Sequence, residues 1–169
     1  MNRLLRSVEL PPHIYQKAID VGLEREQTWQ HAQERSLAIK YRPDKHAAFN
    51  IAATAAEIAV AHYLGREWLG AIYDGPASYD VAPNIEVRCT ENPKHGLFIK
   101  NREVQPGPYE KSPSSIYALT FTTSNPRRFQ LAGYVRLEDA IRIATRWERN
   151  GIIGWIVNSN DLHDLDELL

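Results

Sequence analysis

Residues Lys45 to Leu64 (KHAAFNIAATAAEIAVAHYL) are apolar nearly all the way round a helical projection. A helix without a polar side has to be covered on every side, so this segment is expected at the centre of the fold. Gly65 is placed to close it as a C-cap. Its few polar residues, Asn50, Thr54 and Glu57, stand at i, i+4 and i+7 and form one stripe. A buried glutamate is costly unless a charge or a metal pairs with it. Glu57 is therefore a candidate functional residue, against the plainer reading of a solvated residue where the helix leaves the core.

Around this helix the pattern changes twice. Pro11-Pro12 reads as a helix start, followed by a mostly polar helical region from His13 to about Lys40 that Gly22 could split. Tyr41 to Asp44 is a break, with Asp44 placed to cap the apolar helix. From Trp68 onward short β-branched and aromatic runs lie between Gly, Pro and Asn. They are Leu69 to Tyr73, Tyr79 to Ala82, Ile85 to Thr90, Leu97 to Lys100, Ile116 to Thr122 and Phe129 to Leu137. Pro83-Asn84 turns one run into the next, and Pro106 to Pro113 is a loop. Glu138 to Asn150 reads as a helix, Ile152 to Val157 as a last strand and DLHDLDELL as an acidic tail. The order implies one α/β or α+β domain with a mixed sheet flanked by helices. Its parts are a helical extension over 1–44, a core over 45–157 and a tail over 158–169.

Charge and composition exclude several classes. The net charge is −1, which does not suit binding nucleic acid by bulk attraction. Four of the 21 acids lie in the last nine residues, and without them 17 acids face 20 basic residues, a balance of +3. Local charge would have to do the binding. No uninterrupted apolar run approaches the roughly 18 residues of a membrane span, and the N-terminus lacks an apolar signal region. A cytoplasmic protein is expected, which a lone cysteine, Cys89, also suits. One cysteine rules out a thiolate zinc cluster, and the six histidines have no ligand spacing. The serines have no nucleophile-elbow context, and no phosphate-binding glycine pattern is present.

The candidate chemistry lies between Glu57 and Lys100. Glu86 and Arg88 are two apart, so on a strand both project from one face, with Asp80 a short turn away. Paired carboxylates beside a fixed cation suit a divalent metal held against a phosphodiester. The bland alternatives are a turn aspartate for Asp80 and an exposed same-face pair for Glu86 and Arg88.

At these residues the chain resembles the PD-(D/E)XK superfamily of restriction-endonuclease-like nucleases. That family has a mixed sheet flanked by helices, a helix glutamate, an aspartate beside a strand and an (Asp/Glu)-x-Lys on the next strand. The matching residues are Glu57, Asp80 and Glu86-Val87-Arg88, within TAAEIAVAHYLG and YDVAPNIEVRCT, followed by LFIK and FQLAGYVRLEDA. The layout is similar to that of small phage and bacterial members and covers roughly residues 45 to 157. The resemblance implies a Mg²⁺-dependent deoxyribonuclease, with Mn²⁺ as a substitute, acting on DNA in a prokaryotic or phage-infected cell, with a homodimer within the family's range. The metal ligands it implies are Asp80 and Glu86, assisted by Glu57 and the Val87 carbonyl. Arg88 stands where the family has lysine; it cannot act as a base but can steady charge. Lys100 on the following run is positioned to supply the missing ammonium. Lys94, Arg102, Arg127 and Arg128 are candidate DNA contacts, and Arg142, Arg146 and Arg149 fall on one helical stripe. The alternative reading is a nuclease-fold module that has lost catalysis, with Arg88 as the trace, and binds nucleic acid or a protein partner. A weaker one is an interaction protein docking through its acidic tail.

Overall fold

The computed structural model describes residues 5–33, 43–70 and 78–169. In chain order the elements are β1 Arg6–Glu9, α1 Pro12–Gln33, α2 Pro43–Leu64, β2 Ile85–Thr90, β3 Leu97–Lys100, α3 Asn101–Val104, β4 Ile116–Thr122, β5 Arg128–Arg136, α4 Leu137–Ile143, β6 Thr145–Arg149 and β7 Ile152–Val157. Two sheets form, one in the order β1-β5-β4-β2 and one in the order β3-β7-β6. β2 runs parallel to β4, while β4 and β5 and then β1 and β5 are antiparallel, so the first sheet is mixed.

The apolar helix is buried over most of its length from Thr54 onward, as its composition requires, whereas Phe49 in its N-terminal half is 63% exposed. Ala55, Ala56, Ile58, Ala59 and Val60 of α2 pack with Ile85 and Val87 of β2, Ile116 and Ala118 of β4 and Ala18 of α1. Side chains alternate along β4, so Tyr117, Leu119 and Phe121 face the other way, into a second cluster with Leu97, Ile99, Val157, Leu137 and Ala140. The four-stranded sheet is thus covered by α1 and α2 on one face and by the three-stranded sheet and α4 on the other. By length and composition alone Lys45–Leu64 would pass as a membrane span, against the expectation from uninterrupted runs. Half of that window is buried within this fold.

Gly22 does not split α1, which is continuous across it. A Cβ there would lie 2.6 Å from the Ile51 Cα, so the glycine lets the α1 and α2 backbones approach. Gly22→Ala gains about 1 kcal/mol of helix propensity but forces the backbones apart, and overpacking costs about 1–3 kcal/mol. The expected net result is a lower melting temperature, and a higher one in a thermal melt would contradict this helix contact.

Several sequence expectations change. Glu138 to Asn150 is not one helix. α4 stops at Ile143, and β6 and β7 form a hairpin with Arg149 opposite Ile152. Asn150 (φ 54°) and Gly151 (φ 77°) are both left-handed, the Asn-Gly pattern of a two-residue hairpin turn. Arg142, Arg146 and Arg149 therefore share no helical stripe, since the last two lie on β6. β1 was not expected, and among the described residues strand structure near Trp68 and Val81 is limited to isolated bridges. α2 begins at Pro43, so Asp44 lies inside it rather than capping it. The expectations for Leu69 to Tyr73 beyond Gly70, and for residues 34–42, fall outside the described residues. The acidic tail is docked on the body of the chain. Leu162 and Leu165 are buried, Asp166 pairs with Arg6 at 2.6 Å, and Tyr134 and His163 exchange backbone hydrogen bonds.

Candidate active site

β2 is the outer strand of the mixed sheet. Its Ile85 and Val87 go to the α2 face, and Glu86 and Arg88 go to the opposite one. Asp80 sits where the chain turns into β2. Its carbonyl accepts from Leu69 N–H (2.9 Å), its own N–H donates to Ile85 O (3.0 Å) and its Oδ2 accepts from Val87 N–H (2.7 Å). Asp80 is thereby fixed at the open edge of the strand, between the faces that carry Glu57 and Glu86.

The polar stripe of α2 faces α1. Arg25 donates to both oxygens of Glu57, at 2.7 and 2.9 Å, and to the Thr54 hydroxyl at 3.0 Å. Trp68 Nε1 donates to Glu57 Oε2 at 3.0 Å, and Asn50 donates to Glu26 at 2.7 Å. Gly70 makes room for this junction, because a Cβ there would fall 2.5 Å from Glu57 Oε2. With both oxygens so occupied, Glu57 ties the two helices to the segment leading to Asp80.

Glu86 is held from two sides. Its Oε1 lies 2.6 Å from Lys111 Nζ, and its Oε2 accepts from Arg88 at 3.1 Å. Arg88 also donates to Glu103 (2.6 Å) and to the Phe98 carbonyl (3.2 Å), and it lies 5.4 Å from the Tyr117 ring centre. These bonds occupy the guanidinium within the protein, so Arg88 is the fixed cation beside Glu86 and braces it as a strut. Burial works against the charge on Glu103, but Arg88 holds its carboxyl below the usual range. The Tyr117 hydroxyl is buried without a hydrogen bond of ordinary geometry, and burial together with nearby Glu103 raises its pKa.

Within this cluster Glu57 pairs with Arg25, Glu86 with Arg88 and Lys111, and Glu103 with Arg88, while the Lys100 ammonium acts on Glu103 and Glu86 from the rim. Among the described residues of the cluster, Asp80 is the acid without an ion pair of its own. Desolvation by the surrounding protein, then Glu57, then Glu86 push its carboxyl from 3.8 up to about 8, against the smaller opposing effects of the Val87 N–H and Arg88. The folded state therefore binds a proton that the unfolded chain releases between those values. Without a cation in the site, stability is expected to fall as pH rises from about 4 to about 8 and then to level off. Denaturant melts across that range in EDTA check this.

The remaining expected residues are distributed more widely. Lys100 stands exposed at the rim, where desolvation by the protein around it and the Arg88 guanidinium lower its pKa, and its N–H donates to Glu103 at 3.0 Å. The Val87 carbonyl lies 3.4 Å from Arg88 Nη1. Lys94 is exposed, and Arg102 stacks over Tyr109 at 4.5 Å. Arg127 and Arg128, candidate DNA contacts, are paired with Glu9 of β1 at 3.1 and 2.7 Å on the surface. Sequence reasoning missed Arg25, Trp68, Glu103 and Lys111 as parts of the site. The one available signal was that a buried Glu57 requires a cation, and α1 carries Arg25.

No protein-family model, no curated protein and no solved structure matches this chain.

Proposed function

We propose that the chain is a Mg²⁺-dependent DNA nuclease with a restriction-endonuclease-like core, hydrolysing phosphodiester bonds at Asp80 and Glu86. The observation that carries this reading is Asp80, an acid without an ion pair of its own, beside Glu86 at the edge of a mixed sheet flanked by helices. Among the described residues no three His, Cys, Asp or Glu side chains form a ready metal cluster. Mg²⁺ does not need one, since it commonly takes one or two carboxylates and completes its shell with water and substrate phosphate oxygens. Asp80 and Glu86 are hard oxygen donors and fit that demand, whereas Glu57 is committed to Arg25 and Trp68.

When bound, the metal supplies an acidified water and a polarised phosphate. The chain's own residues do the positioning. Val87 N–H aims the Asp80 carboxylate, and Arg88, itself braced by Glu103 and Phe98 O, aims Glu86. The Arg25–Glu57–Trp68 junction fixes the helix pair behind Asp80. Lys111 and Lys100 are the ammonium groups nearest the acids, and they are suited to meeting phosphate charge.

The test is incubation of the purified chain with labelled single-stranded, duplex and branched DNA in Mg²⁺, Mn²⁺ or EDTA. Cutting in either metal and none in EDTA is expected. One observation favours a second reading, a binding module that no longer cuts: the hydrogen bonds of Arg88 are used up inside the protein. DNA retention by well-folded protein with no cutting in any metal would select it.

A further inference from the structure

Lys111 is one of the most deeply buried charged side chains in the described part of the molecule, at 7% exposure, and it comes from a loop. It has three partners: Glu86 Oε1 at 2.6 Å, the Ser78 carbonyl and the face of Tyr79 at 4.4 Å. Its backbone N–H is tied to the Glu103 carbonyl at 2.9 Å, and Tyr79 is itself anchored by the Ser115 hydroxyl at 2.9 Å. The ammonium thus occupies the one Glu86 oxygen that Arg88 leaves open.

Resting on the nuclease reading above, we propose that Lys111 is a built-in counter-ion that competes with the divalent metal for Glu86. The site is charge-locked by its own lysine until a metal displaces it. Lys111, rather than Arg88, is the cation able to leave. Arg88 would forfeit Glu103, Phe98 O and Glu86 together, whereas Lys111 carries a compact charge on a flexible stem and keeps the Tyr79 face as a partner after release.

The test measures Mn²⁺ binding to the metal-free full chain by electron paramagnetic resonance, so that activity is not the readout. Lys111→Met is expected to bind Mn²⁺ about tenfold tighter or more, because a charge-assisted bond no longer opposes the metal. Lys111→Arg, which keeps the charge, is expected to stay near wild type. If Lys111→Met does not fold by circular dichroism, Lys111→Gln takes its place with the same expected direction. Unchanged or weaker Mn²⁺ binding in the uncharged variant overturns the competition, as does no binding in any form. DNA cutting by wild type together with equal affinities would sink the lock and spare the nuclease. Tighter binding in Lys111→Met with no cutting by any form would do the reverse.

Discussion

Asp80→Asn is expected to melt higher than the wild type in EDTA above about pH 8, and to cut DNA slower by roughly 10³-fold or more. The two effects share one cause. The asparagine keeps an oxygen to accept the Val87 N–H but carries no charge into a desolvated place beside Glu57 and Glu86. A pKa unit corresponds to about 1.4 kcal/mol, and solvent screening of a half-buried group leaves an expected gain of roughly 1–3 kcal/mol. In a domain of this size that is roughly 3–9 °C. Loss of cutting without the gain in stability would mean that the Asp80 charge is needed for cutting but is not held at a cost to the fold.

Glu57→Ala carries the largest expected loss of stability. It leaves the Arg25 guanidinium, with only 18% of its side chain exposed, without its carboxylate, and it also removes the acceptor of Trp68 Nε1. Removing one partner of a buried pair costs about 3–5 kcal/mol, or roughly 10 °C here. Glu57→Gln retains an acceptor and is expected to lose less. In both variants Asp80 should titrate lower than in wild type, because Glu57 is the largest charge holding its carboxyl up. A melt of Glu57→Ala within a degree or two of wild type would show that the pair contributes little net stability.

The legible part of the chain was the part governed by local pattern. α2 could be read because a long, mostly apolar helix needs cover, which its second half finds, and β2, β4, β5 and β7 because short apolar runs sat between turn residues. Glu86 and Arg88 on one face followed from the two-residue period of a strand. What could not be read depends on contacts distant in sequence. Arg25 meets Glu57 across 32 residues, and Lys111 reaches Glu86 from a loop with no regular period. β6 was lost to a competing helical reading of Glu138 to Asn150, although Asn150-Gly151 was the hairpin signal within it. The pairing of Arg127 and Arg128 with Glu9 could not be read because β1, which supplies Glu9, was not foreseen.

Asp80 is the acid of this cluster without a cation of its own, and its carboxyl carbon resonance, followed against pH with and without Mg²⁺, tests this most directly. A midpoint near 8 without metal, moving far down when Mg²⁺ is present, is the predicted result. A midpoint in the ordinary carboxylate range that Mg²⁺ does not move would contradict it.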